Sequence, residues 1–312
     1  MKNSLKCIVS LIITMCILTS SLLAVPASAY KVTMKIDETV TANQRNNYYK
    51  TSAFIGSSIG VGQQNYFRSK GNGYLGNPLF MVRGCYSFNN DFTNNRPYMI
   101  CWRGTPYHAW DAIRYSGVDK VFINMGTNDM YTSAQDTYNS YVRYLQNIRR
   151  VNPNVVIFIE ATPPMWNGSQ RAVLNNRNID RLNSLISNYC AQQKDMYYID
   201  INSVLKDSSG GIAASYTSDR YVHLTNSGYA RWMKAVTAYT DVLIVKERRV
   251  TKACDAVSRM IERRRYKSAK AYIELAEDAL SKLDNSTKKD KLTARLNKLK
   301  LRYRKRTGET IQ

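Results

Sequence analysis

The first two thirds of the chain alternate between short apolar runs and stretches with helical spacing. Five runs are short, apolar and rich in β-branched or aromatic residues, which is typical of buried strands. They cover residues 52–55, 79–82, 121–125, 155–160 and 197–201. Helical spacing occurs between them, at residues 111–115, 138–150 and 179–192. This alternation predicts a parallel sheet covered by helices on both faces.

The pattern changes near Lys246, where helical spacing becomes almost continuous. From there onward the chain has no proline, and its only glycine is Gly308. Lys, Arg, Glu, Ala and Leu dominate, a composition that is typical of helices. Thr287 and Asp290 form a capping-box-like start for a last helix. The pattern predicts a helical hairpin or a three-helix unit over residues 246–312.

The N-terminal residues have the pattern of a secretion signal. A basic start precedes an apolar stretch over residues 7–25, and Ala27-Ser28-Ala29 follows as a small-x-small cleavage pattern. We predict a signal peptide over residues 1–29, cut after Ala29, and a protein that is secreted or associated with the cell surface or wall. A retained membrane anchor is the alternative, because the apolar stretch is nearly long enough to span a bilayer. The remaining chain would divide into an α/β domain over residues 30–245 and the small basic helical module after it.

The chain is strongly basic. Its 312 residues include 45 Lys and Arg against 23 Asp and Glu, which gives a formal net charge of +22 at pH 7. Such a charge favours polyanionic partners, and export argues against nucleic acid and for cell-wall polymers, acidic polysaccharides or membrane surfaces. Residues 246–312 carry 21 Lys and Arg against 9 Asp and Glu. We therefore expect the helical module either to bind an anionic wall polymer or to act as a spacer with a solvated basic face.

Four of the six cysteines remain after the predicted cleavage, and they allow three disulfide pairings. An oxidising compartment permits disulfides, and Cys85 with Cys101 is the pairing most worth testing. Cys190 lies on an apolar helical face and is expected to be a buried thiol. The chain has no CxxC pair and no His/Cys cluster, so a structural zinc site has no support.

Candidate chemical groups follow the predicted strands, where parallel α/β folds bind their ligands. Ser58 follows the first strand, Gly84 the second and Asn128 the third. His223 lies in a segment after the last strand. Cleavage of an acyl ester needs a nucleophile, a base and hydrogen-bond donors for the developing oxyanion. These residues include each of the required groups.

Four segments together resemble the SGNH hydrolase superfamily, also called GDSL esterases. They are FIGSSIGVG with Ser58, FMVRGCYS with Gly84, MGTND with Asn128, and DRYVHLTNSGY with His223. The resemblance covers roughly residues 50–245, and three blocks in the right order, each after a predicted strand, are a specific signal. It implies a flavodoxin-like three-layer α/β/α sandwich with a parallel sheet and a reaction that needs no metal or cofactor.

The resemblance also implies a role for each of these residues. Ser58 would attack the ester carbonyl, and His223 would take its proton and return it to the leaving alcohol. The backbone N–H groups of Ser58 and Gly84 and the side-chain amide of Asn128 would bind the oxyanion. Taken alone, Ser58 would indicate only a helix cap and Asn128 only a turn residue.

Two positions depart from the family pattern. Ser57 stands where the family usually has an aspartate before the nucleophile, which we expect to reduce loop rigidity rather than abolish the chemistry. Arg220 lies three residues before His223, where the family commonly places its triad aspartate, and Asp219 lies one residue earlier. A one-residue bulge would let Asp219 complete a triad. Otherwise a backbone carbonyl would steer His223 and leave a Ser–His pair.

The long segment over residues 65–110 is rich in Tyr, Asn and Gly, and we expect it to overhang the catalytic serine. Its alternating part predicts a β-hairpin at residues 97–106. The candidates for stacking on sugar rings are Tyr86, Trp102 and Tyr107. The alternative is that these rings pack the hairpin onto the domain. His108 is expected to be a surface or packing residue, and Asp129 to cap the turn that follows it.

These features together predict an exported serine esterase that removes acyl groups, acetyl in particular, from a carbohydrate or cell-wall polymer. One alternative is a catalytically inactive protein of the same fold that binds a glycan or the cell wall. Others are a lysophospholipase or thioesterase, and an enzyme that transfers acyl groups between sugars. An apolar tunnel beside Ser58 would favour a lipid or thioester substrate, whereas a shallow cleft lined by tyrosine would favour a sugar ester.

Overall fold

The computed structural model describes residues 37–311, together with Val32 and Met34. The predicted signal peptide over residues 1–29 therefore lies outside the described residues. Everything below concerns the compact unit that begins at Met34. Among the described residues, no helix is long and apolar enough to cross a bilayer.

Strands and helices alternate through most of this unit. The strands are β1 (Ser52–Gly56), β2 (Leu79–Val82), β3 (Cys101–Trp102), β4 (Thr105–Pro106), β5 (Lys120–Asn124), β6 (Val156–Glu160) and β7 (Met196–Ile199). The helices are α1 (Ala42–Tyr49), α2 (Ser58–Ser69), α3 (Phe88–Phe92), α4 (Ala109–Ser116), α5 (Ala134–Val151), α6 (Asn176–Ala191), α7 (Asn226–Glu262), α8 (Tyr266–Ser281) and α9 (Thr287–Thr307). The five predicted strands are confirmed, each to within two residues at its ends.

Five strands form a parallel sheet in the order β2-β1-β5-β6-β7. Numbered within the sheet alone, this order is 2-1-3-4-5, the order of flavodoxin-like folds. The predicted fold class is therefore confirmed, with a helical C-terminal region following the α/β part. In this topology the carboxyl ends of the strands meet at one edge, and the loops that leave that edge carry the candidate site.

A row of aromatic rings runs across all five strands of the sheet. Phe80, Phe54, Phe122, Phe158 and Tyr197 are partners in successive strand pairs. Neighbouring rings stack with centroids 4.6 to 5.2 Å apart. Because a slip of one residue would turn each strand's side chains to the opposite face of the sheet, this row fixes the register and with it the relative positions of the strand ends.

Helix α7 joins the sheet to the helical region without interruption. It has 37 residues, and the predicted boundary at 245/246 falls inside it. Its buried residues up to Leu243 pack into the core around the sheet, whereas those from Val250 onward pack with α8 and α9. The division into two domains stays a prediction, but the two cores share a continuous helix where a linker would be expected.

The loop before α9 is bound directly to the α/β part. Asp195, just before β7, accepts hydrogen bonds from the backbone N–H of Thr287 at 2.9 Å and from its hydroxyl at 2.5 Å. Ser286 caps the helix by accepting from the backbone N–H of Lys289 at 3.1 Å. The expected cap at Thr287 was therefore wrong by one residue, because the Thr287 side chain is committed to Asp195.

The four described cysteines are all free thiols. The pairing most worth testing, Cys85 with Cys101, is not formed: Cys85 is exposed, and the sulfur of half-buried Cys101 lies 3.8 Å from Nη1 of Arg83. Cys190 is 2% exposed on α6, which confirms the prediction of a buried thiol.

Glu160, at the end of β6, is a carboxyl group enclosed in the core. Its side chain is 1% exposed, and Oε1 accepts a hydrogen bond from Nε1 of Trp232 at 3.1 Å. Its second oxygen has no partner among the described residues. Burial penalises the charged form and raises the pKa of Glu160 to about 8.

We expect Glu160→Gln to flatten the pH dependence of stability. In the unfolded chain Glu160 ionises near its ordinary pKa of 4.5, so stability is fully present below that pH and declines as pH rises toward about 8. The amide is neutral throughout. The variant should match the parent at acidic pH and exceed its free energy of unfolding above pH 8 by about 4 to 5 kcal/mol, the equivalent of the pKa difference. Urea unfolding at both pH values measures this, and parallel curves for the two proteins would contradict it.

Candidate active site

Ser58 is the first residue of α2, directly after the turn that leaves β1. The turn is tight at Gly56, where an added Cβ would lie 3.1 Å from the carbonyl oxygen of Asn124. Ser57 occupies the N-cap position without a side-chain capping bond. The Ser58 hydroxyl instead lies 2.9 Å from Nε2 of His223. Ser58 is therefore not the helix cap, and its hydroxyl is paired with a potential base.

Asp219 lies beside the other nitrogen of the same imidazole. Its Oδ2 is 2.6 Å from Nδ1 of His223, and its Oδ1 accepts from the backbone N–H of Tyr221 at 2.8 Å and of His223 at 3.2 Å. Arg220, which follows Asp219 in the sequence, has a φ of 52°, in the left-handed region. That turn is the one-residue bulge, and it lets an aspartate four positions before the histidine reach the ring.

The charge on Asp219 is stabilised by these contacts. Partial burial raises its pKa, but the hydrogen bonds from the His223 ring and from the Tyr221 and His223 N–H groups outweigh burial and lower the pKa overall. An ionised Asp219 keeps a proton on Nδ1 and leaves Nε2 free to accept the proton of Ser58. The arrangement can activate a serine hydroxyl as a nucleophile.

The predicted oxyanion hole comprises three hydrogen-bond donors. The N–H of Ser58 is in the first turn of α2, where helix geometry supplies no carbonyl partner. Gly84 is exposed, and an added Cβ there would meet no atom within 4 Å. One amide hydrogen of Asn128 is donated to the carbonyl of Tyr86 at 3.1 Å, and the second remains for a ligand. Their function as an oxyanion hole stays a prediction.

The loop that carries Gly84 is anchored by buried polar contacts. Tyr86 is fully buried, and its hydroxyl donates to Oδ2 of Asp91 at 2.8 Å and lies 2.9 Å from the hydroxyl of Tyr144. The expectation that Tyr86 stacks on a sugar was therefore wrong, because its ring is inaccessible. Asp129 accepts from the N–H of Phe88 at 2.7 Å, so it holds the start of α3. The sequence does not indicate this anchoring, because nothing local marks Asp91 or Tyr144 as a partner.

The other two aromatic candidates are half-buried. Trp102 is in the β3–β4 hairpin, which confirms the predicted hairpin, and the guanidinium of Arg103 lies 5.5 Å from its ring centroid. Tyr107 packs against Tyr115 with ring centroids 5.0 Å apart. A role for Trp102 and Tyr107 in substrate binding stays a prediction. The His108 ring stacks on the Trp110 ring with centroids 4.7 Å apart, in line with the expected packing role.

The site is open to solvent. The side chain of His223 is 41% exposed and that of Asp219 33% exposed. Tyr131, three residues after Asn128, exposes 72% of its surface. The sequence alone gives Tyr131 no evident role, although it lies only two residues after the MGTND segment. Among the described residues, no group of three or more His, Cys, Asp or Glu is arranged to hold a metal ion.

The parallel sheet, the helix-borne serine and its imidazole and carboxylate partners define the class of α/β serine ester hydrolases. Residues 54–231 match the model of the GDSL-like Lipase/Acylhydrolase family, and the chain belongs to this family. The resemblance to SGNH hydrolases is thereby confirmed, and so is the prediction of a hydrolase.

Similar solved structures include a GDSL-like lipase from Bacteroides thetaiotaomicron, 15% identical over 64% of this chain and 90% of that chain, with a TM-score of 0.46. A carbohydrate esterase of family 3 from Talaromyces cellulolyticus is 15% identical over 62% and 98% of the two chains, with a TM-score of 0.43. The periplasmic domain of a lipopolysaccharide acetyltransferase from Salmonella ser. Paratyphi A is 15% identical over 61% and 83%, with a TM-score of 0.42. No curated protein matches the chain.

Proposed function

We propose that this protein is an exported esterase that removes short acyl groups, acetyl foremost, from a carbohydrate or cell-wall polymer. Ser58 is the nucleophile, His223 the general base and acid, and Asp219 the residue that orients the imidazole. The export rests on the pattern of residues 1–29. The protein acts outside the membrane, free or attached to the wall.

The reaction proceeds in two halves. His223 Nε2 takes the proton of Ser58 as its oxygen attacks the ester carbonyl, and Asp219 stabilises the imidazolium that forms. The oxyanion is held by the N–H groups of Ser58 and Gly84 and the amide of Asn128. When the intermediate collapses, the C–O bond to the sugar breaks and His223 protonates the departing alcohol. Water, activated by His223, then releases the acyl group and restores Ser58.

The solvent exposure of the site is the observation that supports a sugar ester as the substrate. A base that is 41% exposed lies at the surface, so an ester on a bulky or polymeric alcohol can approach it without threading through a tunnel. A long acyl chain, by contrast, gains affinity from an enclosed apolar channel, because the favourable energy scales with the apolar area removed from water. The exposed ring of Tyr131 beside the MGTND segment offers a flat apolar face of the kind that sugars bind.

We expect short acyl groups to be preferred. The measurement is kcat/KM for p-nitrophenyl acetate, butyrate and octanoate, followed by acetate release from an acetylated xylan and fatty-acid release from lysophosphatidylcholine. Acetyl should exceed octanoyl by about tenfold or more, since a longer chain beside an exposed base stays largely in water and gains little binding energy. Ser58→Ala supplies the uncatalysed background for each substrate. Rates that rise with chain length, or release from the lipid alone, would replace the sugar ester by a lipid substrate.

A further inference from the structure

The helical region contains a basic cavity where α7 and α9 end and α8 begins. Its volume is about 350 Å³. The lining residues that matter are Glu262, Arg264, Tyr266, Arg302, Lys305 and Arg306. The cavity shares no residue with the site around Ser58, so its chemistry needs a separate explanation.

Most of the positive charge around the basic cavity is not neutralised by carboxylates. Nη2 of Arg302 lies 3.7 Å from Oε1 of Glu262, and that same oxygen accepts from the hydroxyl of Ser258 at 2.9 Å. Within residues 37–311, Arg264, Lys305 and Arg306 form no salt bridge. One carboxylate therefore faces four cations.

Helix dipoles account for part of this charge but not for all of it. Two helices, α7 and α9, end at the cavity, and each C-terminus carries roughly half a negative charge. With Glu262, these ends offset about two of the four positive charges, while the N-terminus of α8 adds about half a positive charge. The remaining excess of about two to three charges is more than the helix ends require and opposes folding through mutual repulsion. A bound anion would remove that repulsion.

The backbone conformation of Arg264 is unfavourable for a residue with a side chain. Its φ is 56°, and the N–H of Arg264 bonds to the carbonyl of Ile261 while that of Arg265 bonds to Met260. This is the left-handed residue after a helix, where glycine is preferred because a Cβ is unfavourable there. The chain places a long cation at this position despite the backbone cost, and the cation lines the cavity.

The geometry favours a tetrahedral anion. The cations approach the cavity from two directions, the turn between α7 and α8 and the last turns of α9. A planar carboxylate is satisfied by one guanidinium fork, whereas the oxygens of a phosphate point in several directions and can accept from forks on different elements. A cavity at the surface of a chain with a net charge of +22 suits an extended polymer of such groups.

We propose that the basic cavity binds the phosphate groups of an anionic polymer outside the cell, and so holds the esterase on the matrix that contains its substrate. The preference for an extracellular polymer over nucleic acid rests on the export proposed above. The binding does not depend on the ester chemistry, so a failure of the proposed esterase function would leave the binding result unaffected.

The test measures binding of the purified protein to immobilised long-chain inorganic polyphosphate at about 0.1 M salt, where electrostatic screening acts over about 10 Å. A cavity variant carries Arg264→Gln, Lys305→Gln and Arg306→Gln. A matched control carries Lys252→Gln, Lys291→Gln and Lys298→Gln, which removes the same charge from exposed positions that do not line the cavity. We expect Kd to rise at least tenfold in the cavity variant and less than threefold in the control.

A second variant separates binding from folding. Arg264→Gly removes one cation but suits the left-handed backbone, so we expect the melting temperature to rise by about 2 °C while polyphosphate binding weakens severalfold. Equal weakening in the cavity variant and its control would replace the proposal by diffuse attraction, and no binding at all would overturn it outright. Tighter cavity-dependent binding of polyglutamate or of single-stranded DNA would overturn the choice of ligand.

Discussion

Replacing Ser58 by alanine is expected to lower kcat/KM for p-nitrophenyl acetate by roughly 10⁴- to 10⁶-fold while leaving the fold intact. The substitution removes the hydroxyl oxygen that lies 2.9 Å from Nε2 of His223. What remains would be the rate supported by the oxyanion donors and substrate binding. Initial rates with purified protein measure the loss.

The adjacent serine provides the control. Ser57 is at the N-cap of the same helix, makes no side-chain capping bond and is buried, so Ser57→Ala should change the rate only slightly. A fluorophosphonate probe should label the parent and Ser57→Ala but not Ser58→Ala. Activity that survives in Ser58→Ala, or a labelled Ser58→Ala protein, would mean that the nucleophile lies elsewhere.

Asp219→Asn is expected to reduce kcat/KM by about 10⁴-fold with little loss of stability. An asparagine oxygen can keep the two backbone bonds that Oδ1 of Asp219 now accepts from Tyr221 and His223. Its NH₂ group would then face Nδ1 of His223 and donate to it. That contact favours the tautomer with the proton on Nε2, which cannot take the proton of Ser58.

A substitution at Arg220 tests whether activity depends on the Asp219 carboxylate or only on the backbone bulge. Arg220 occupies the family's usual aspartate position and takes a left-handed φ of 52°, so Arg220→Gly should be compatible with the backbone and retain activity. If Asp219→Asn kept the rate within tenfold of the parent, His223 would have to be steered by another group, and the protein would work with a Ser–His pair.

The sheet could be predicted from the sequence because its signal is local. Each strand is a short apolar run that is buried regardless of which strand lies beside it, and alternation with helices restricts the topology. The order of the strands followed from the family resemblance. The aromatic row from Phe80 to Tyr197 was not anticipated, since partners in a row are separated by at least 26 residues of chain.

The candidate site was predictable residue by residue but not as an assembly. Ser58, Asn128 and His223 follow strands in a known order, so their convergence could be expected. The spacing of Asp219 left two alternatives open, because a left-handed Arg220 cannot be inferred from residue type. Tyr86 was misjudged for a related reason: its burial depends on Asp91 and Tyr144, and a tyrosine in a polar loop does not show where its hydroxyl binds.

The predicted domain boundary at 245/246 shows a limit of prediction from composition. The change in composition there is real, yet a helix can pass from one core to another if its buried residues change partners without changing spacing. Leu243 and Val250 lie seven residues apart, two turns of helix, so the same face of α7 serves both cores. Composition therefore marks a change of environment rather than a break in the chain.

The continuity of α7 also sets a length scale for the working enzyme. The helix begins three residues after His223 and ends two residues before Arg264, and its 37 residues rise about 55 Å along the axis. A molecule attached to the polymer at the C-terminal end of α7 would hold Ser58 roughly that distance from its point of attachment. It would therefore miss the polymer units next to that point. Deacylation would then be uneven along the polymer, and the length of α7 would set the spacing of the modified sites.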